Sequence, residues 1–220
     1  MFKKLAVIAG FLVVGFLALA AEHPGGQEAE HPGAQEAEQK DRAPDFELFG
    51  IDYRYHSPAM YEDAEALVLV FTCNHCPVAK SYEDKLVALA KEYHPKGIQF
   101  IAINTNPVDK VAADGFPQMQ ERAEEKGFPF PYLYDETQKI SRAYGATVTP
   151  HIFVRTPDGK IAYEGAIDNR HDEPEYLANA LDDILAGREV QRAKTAQFGC
   201  TVKYRNEDEQ QERFNLFEAD

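Results

Sequence analysis

The stretch Ala66-Leu-Val-Leu-Val-Phe-Thr-Cys-Asn-His-Cys-Pro77 decides how this chain is read. Its first six residues form an unbroken apolar run of strand length, which predicts a buried strand. From about Val78 to Tyr93 the period becomes helical, with Ala79, Tyr82, Leu86, Leu89, Ala90 and Tyr93 on one face. Cys73 and Cys76 are therefore two thiols, two residues apart, where a strand gives way to a helix. That is the geometry of a thiol–disulfide pair. Unpaired N–H groups and the positive end of the helix dipole favour a thiolate there. The expectation is that Cys73 is the low-pKa attacking thiol and that Cys76 resolves the mixed disulfide. His75 adds positive charge between them, Asn74 an amide, and Pro77 stiffens the first helical turn. The competing reading is half of a zinc site, but no second C-x-x-C or H-x-x-x-H completes four ligands. No metal and no other cofactor is expected.

The flanks differ in character from this core. Lys3 and Lys4 precede an apolar run, Leu5 to Leu17, and Ala18-Leu19-Ala20 is a small-x-small signal before Ala21. Residues 1–20 read as a cleaved signal peptide rather than a retained membrane anchor, so the mature protein is expected to be exported, periplasmic in a bacterium. Residues 21–42 contain AEHPGGQE followed by AEHPGAQE. Such a Pro-, Gly- and Glu-rich repeat cannot bury a core and reads as a flexible linker, although His23 and His31 could hold a metal ion weakly. Removing residues 1–20 leaves 21 basic against 37 acidic residues, a net charge of −16. That balance argues against nucleic acid or an anionic membrane as partner.

About 180 residues remain, enough for one full-sized core. Asp45 to Leu48 and Tyr53 to His56 read as short leading strands, and Ile98 to Ile103 as a second buried strand. With the first strand and its helix, this makes a right-handed parallel β-α-β unit. A helix follows near Gln118–Lys126, then an extended Tyr132–Tyr134 and a short helix up to Tyr144. His151–Arg155 and Lys160–Glu164 flank Thr156-Pro-Asp-Gly159, a strong hairpin turn. Pro174 to Leu185 reads as a closing helix stopped by Gly187. Residues 204–220 read as an acidic, loosely held tail that Phe214, Leu216 and Phe217 could dock. His56, His94, His151 and His171 read as surface or capping residues, with His151 close enough to the pair to be worth testing.

This order of elements resembles the thioredoxin fold: an α/β architecture with a central mixed sheet flanked by helices. It resembles most the peroxiredoxin-like, AhpC/TSA or redoxin-type branch over residues 43–203. The residues that carry the resemblance are Phe71-Thr-Cys-Asn-His-Cys-Pro77, Ile101-Ala-Ile-Asn-Thr-Asn106, Gly127-Phe-Pro-Phe-Pro-Tyr-Leu-Tyr-Asp-Glu-Thr-Gln138, Ala143-Tyr-Gly145 and Gly199-Cys-Thr-Val-Lys203. The resemblance implies that Thr149-Pro150 is a cis peptide beside the cysteines and that the Thr149 backbone pairs with an extended substrate. Where related sequences often have Cys-Thr-Pro-Asp, this chain has Val148-Thr-Pro-His151.

Two departures narrow the function. The P-x-x-x-T-x-x-C of peroxiredoxins is lost, with Ala66 and Val70 at the Pro and Thr positions. The Trp and buried acid of thioredoxins are replaced by Thr72 and Leu67, which leaves no evident proton acceptor. The sequence therefore points to an exported thiol–disulfide oxidoreductase acting on protein or small thiol partners. The alternatives are a thiol peroxidase and a copper-binding chaperone of the same fold. Cys200 is the odd cysteine: either a buried small hydrophobe or a second resolving thiol that reaches Cys73.

Overall fold

The computed structural model describes residues 42–170 and 175–217, with side chains up to residue 212. The expected signal peptide, nearly all of the linker, His23, His31, His171 and the side chains of Phe214, Leu216 and Phe217 lie outside the described residues.

The sheet is built on β3 (Ala66–Thr72), whose seven residues are all buried. An unbroken apolar strand is the signature of a strand covered on both faces, and here the two faces use alternate residues. Ala66, Val68 and Val70 face α1 (Pro77–Tyr93) and α4 (Tyr176–Leu185), packing with Leu86, Leu89, Tyr93, Leu177 and Leu181. Leu67, Leu69 and Phe71 face the other way, onto Phe46, Leu48 and the short α3 (Lys139–Ala143) with Tyr144. β4 (Ile98–Asn104) runs parallel to β3 in full register, Ala66 opposite Ile98 and Thr72 opposite Asn104. β5 (Tyr132–Tyr134) continues the parallel set. β7 (His151–Arg155) and β8 (Ile161–Gly165) close the other side as an antiparallel hairpin. With β1 (Leu48–Gly50) and β2 (Tyr55–His56), the seven strands lie in the order β2-β1-β5-β4-β3-β7-β8. α2 (Phe116–Lys126) covers β4 and β5 through Met119 and Ala123. A separate two-stranded ladder pairs β6 (Val148–Thr149) with β9 (Cys200–Thr201). The α/β mixed sheet is the one the sequence implied.

The differences have local causes. The first strand begins at Leu48, because residues 43–47 pair with no strand. Past residue 203 the chain is anchored rather than loose. The Tyr204 hydroxyl donates to Ala146 O at 2.6 Å, and Arg205, only 5% exposed, donates from its N–H to Gln138 Oε1 at 2.8 Å. The Arg205 guanidinium is paired with Asp109 and Glu136 O, as a buried charge must be. A helix, α5 (Glu207–Phe217), then starts with a reciprocal capping box: Glu209 N–H donates to Asn206 Oδ1 and Asn206 N–H to Glu209 Oε2, both at 2.9 Å.

Two histidines read as surface residues are buried. His56 Nδ1 lies 2.6 Å from the Tyr61 hydroxyl and its Nε2 3.1 Å from Asp52. His151 is fully buried, packs its ring at a tilt against Phe153 with centroids 4.4 Å apart, and hydrogen-bonds through neither ring nitrogen. Its Nε2 lies 3.7 Å from Glu164 Oε1. Burial lowers its pKa from 6.5 to about 4, only partly offset by Glu164. The unfolded chain therefore binds this proton near pH 6.5 and the folded chain only near about 4. Stability from this group is intact above pH 6.5 and is lost as pH falls towards 4, by at most about 3 kcal/mol. Urea unfolding at pH 7, 6 and 5 should show His151→Leu gaining on the wild type as pH falls, with a slope that steepens towards about 1.4 kcal/mol per pH unit below pH 6. A stability difference independent of pH would contradict it.

Candidate functional site

β3 delivers Thr72 and Cys73 to the carboxyl end of the sheet, and α1 starts at Pro77 with Cys76 as its N-cap. Both thiols are free and buried, Cys73 being 2% and Cys76 0% exposed. The Thr149–Pro150 peptide is cis and places Thr149 against both. Thr149 Oγ1 lies 3.2 Å from Cys73 Sγ, and Thr149 O accepts from the Cys76 thiol at 3.3 Å.

The helix start acts on the other cysteine from the one expected. Because Cys76 is the capping residue, its sulfur accepts the Ala79 N–H at 3.4 Å. Burial pushes the Cys76 thiol up. Hydrogen bonds from the Cys200 thiol and the Ala79 N–H outweigh it and hold Cys76 below an ordinary thiol. Cys73 lies outside the helix. Burial, and then the Asp114 carboxylate, push it up to about 12 against the Thr149 hydroxyl. Of the two, Cys76 is therefore the easier to ionise and Cys73 the harder, the reverse of the reading from sequence.

Asp114 is the residue that sequence reasoning missed. It is fully buried and ends the 3-10 turn Ala112–Asp114, between β4 and α2. Its Oδ1 accepts the backbone N–H of Asn74 at 2.7 Å and of His75 at 3.0 Å. Its Oδ2 accepts Asn106 Nδ2 at 3.0 Å and lies 2.6 Å from His75 Nδ1. So a buried acid does sit by the pair, supplied from a loop rather than from β3. One acid among 37 carries no sequence signal. The polar run Asn104-Thr105-Asn106, closing an otherwise apolar strand, was the available hint. Asn104 Nδ2 donates to Asp114 O at 2.6 Å and positions the turn. Asn74, which the sequence did flag, is locked at both ends: its Nδ2 donates to Ala113 O at 3.0 Å and its Oδ1 accepts the Tyr132 hydroxyl at 2.9 Å. Among the described residues, Cys73, His75 and Asp114 bring potential metal-ligand atoms within 4.8 Å of one another. A metal there would have to break the His75–Asp114 contact, since both carboxylate oxygens already have N–H neighbours.

Thr149 and Cys200 are brought together. In the β6–β9 ladder Thr149 pairs with Cys200, so the backbone edge expected to meet a substrate is covered by the chain's own segment. The close approach requires Gly199, where an added Cβ would lie 2.0 Å from Thr149 O. Cys200 packs on the Cys73–Cys76–Ala79 cluster, and its thiol interacts with Cys76.

Residues 40–164 match the AhpC/TSA family. The chain belongs to that family. A solved uncharacterized conserved protein from Geobacillus kaustophilus is 38% identical, with a TM-score of 0.71 over 74% of this chain and 90% of its own. A hypothetical protein from Sinorhizobium meliloti 1021 is 28% identical at the same TM-score, over 74% of this chain and 93% of its own. A putative thioredoxin from Neisseria meningitidis, 23% identical with a TM-score of 0.55, covers 66% of this chain and 89% of its own and supports the fold. No curated protein matches. Family and fold together make this a thioredoxin-like redox protein of the peroxiredoxin-like branch.

Removing the Asp114 charge should make Cys73 easier to ionise, since a nearby carboxylate opposes the thiolate. In Asp114→Asn the pH midpoint of Cys73 alkylation, followed by peptide mapping of the reduced protein, is expected to fall by about one unit or more. An unchanged or higher midpoint would refute this account of the site.

Proposed function

We propose that the protein is an exported thiol–disulfide oxidoreductase whose Cys73/Cys76 pair exchanges disulfides with protein or small thiol partners. The observation that carries this reading is the pair itself: two free thiols at a helix start, both held by Thr149 of a cis-Pro step. In the reducing direction, the Cys73 and Cys76 thiols give up their two protons and two electrons and convert a substrate disulfide to two thiols. The pair closes to its own disulfide and supplies both electrons. Export rests on the basic start, the apolar run and the Ala18-Leu19-Ala20 signal of the sequence.

The peroxidase reading fares less well. Ala66 and Val70, at the positions where a peroxiredoxin carries Pro and Thr, are core residues packed with α1. Neither offers a hydroxyl to a peroxide. The copper reading draws on the thiol pair and His75, and the acidic neighbour Asp114 is a poor match for a soft monovalent ion.

Insulin reduction driven by dithiothreitol tests the proposal. Wild type should accelerate it, and Cys73→Ser and Cys76→Ser should each lose about 100-fold or more of that acceleration. Retained activity in either variant, or peroxide consumption without disulfide exchange, overturns the reading.

A further inference from the structure

Three thiols meet at this site, and they differ in access. Cys73 and Cys76 are buried, whereas Cys200 is half-buried on β9 and is the cysteine nearest solvent. Cys200 packs on the Cys73–Cys76–Ala79 cluster, and its thiol interacts with Cys76. Three features hold it there. Thr149 pairs with Cys200 across the β6–β9 ladder. Val202 N–H donates to Thr147 O at 3.0 Å, and Lys203 N–H to Asn106 Oδ1 at 2.8 Å. Gly199 permits the contact with Thr149 O that no other residue would. Beside it, a groove of about 590 Å³ runs from Val78 and Tyr82 to Gly199, with Phe198 and Arg170 stacked 3.8 Å apart along it.

Resting on the oxidoreductase reading, we propose that Cys200 is a third redox-active thiol, which carries the disulfide from the buried pair to an external dithiol through Cys76. In the oxidised protein, the Cys200 thiolate attacks Cys76 Sγ. A Cys76–Cys200 bond forms, the Cys73–Cys76 bond breaks, and Cys73 leaves with the electron pair and takes up the proton that Cys200 gave up. No net oxidation occurs. A dithiol reductant then attacks the more exposed Cys200 sulfur and expels Cys76 as a thiolate, the better leaving group of the pair. The reductant's second thiolate releases Cys200 and leaves as a disulfide, so two electrons enter the protein. The arrangement gives a buried pair an accessible contact without opening the core.

The sequence supplies a clean readout. Trypsin leaves Cys73 and Cys76 together on residues 55–80 and Cys200 on residues 195–203, so a Cys76–Cys200 bond cross-links two peptides whereas a Cys73–Cys76 bond does not. Full-length Cys73→Ser protein, oxidised with glutathione disulfide and digested in acid-quenched form, should yield the cross-link in high proportion, and Cys76→Ser should yield little. In Cys200→Ser the Cys73–Cys76 disulfide should still form, but dithiothreitol should reduce it about tenfold more slowly than in wild type. Cross-linking as strong in Cys76→Ser as in Cys73→Ser overturns the route through Cys76. An unchanged reduction rate in Cys200→Ser overturns the role of Cys200. Absence of any Cys73–Cys76 disulfide in oxidised wild type would instead sink the oxidoreductase reading.

Discussion

A single buried carboxylate organises this end of the molecule. Asp114 collects the backbone N–H groups of Asn74 and His75 and the amide of Asn106, and it also contacts the His75 ring. Those N–H groups belong to the link between β3 and α1, which neither element's own hydrogen bonding satisfies. Without such an acceptor they would be buried and unpaired, a cost of about 1–3 kcal/mol each. The position of Cys73 therefore depends on a turn some forty residues further along. Through Asn106, the same hub reaches Lys203 and so the segment that bears Cys200. Sheet, helix start and C-terminal strand are tied at one point.

The carboxylate also sets the charge pattern. It stands against a thiolate on Cys73, while the helix start favours one on Cys76. The two sulfurs of one motif are thereby made unlike, one harder and one easier to ionise than an ordinary thiol, within a single turn of chain. An acidic protein can keep such a pair because the opposing interactions are local N–H dipoles and hydroxyls rather than the distant field of the surface, which salt screens.

How much of this was legible depended on whether the signal was local. β3, α1, β4 and the Thr156–Gly159 hairpin are written in periodicity and turn residues, and each appears at or within a residue or two of its expected bounds. The paired cysteines were equally plain. What could not be read were partnerships set by the tertiary fold. Asp114 lies in a loop with no periodicity. Cys76 rather than Cys73 caps α1, because the helix begins at Pro77, three residues later than a cap at Cys73 would require. His56 and His151 sit in a hairpin and a core strand, where polarity suggested exposure but the sheet enclosed them. Arg205 looked like the start of a polar tail until Asp109 and Glu136 O were found to meet it.

The pairing of β9 with β6 has a consequence for the order in which the protein is made. The seven-stranded sheet is complete once Gly165 has been synthesised, and the Cys73-to-Cys76 link has its acceptor from Asp114 onward. The Thr149 edge is covered only when residues 199–203 arrive. A nascent chain still short of that point thus carries a bare dithiol beside an unpaired strand edge, and the last strand to emerge closes the site. The dithiol is sheltered by a segment made more than a hundred residues after it.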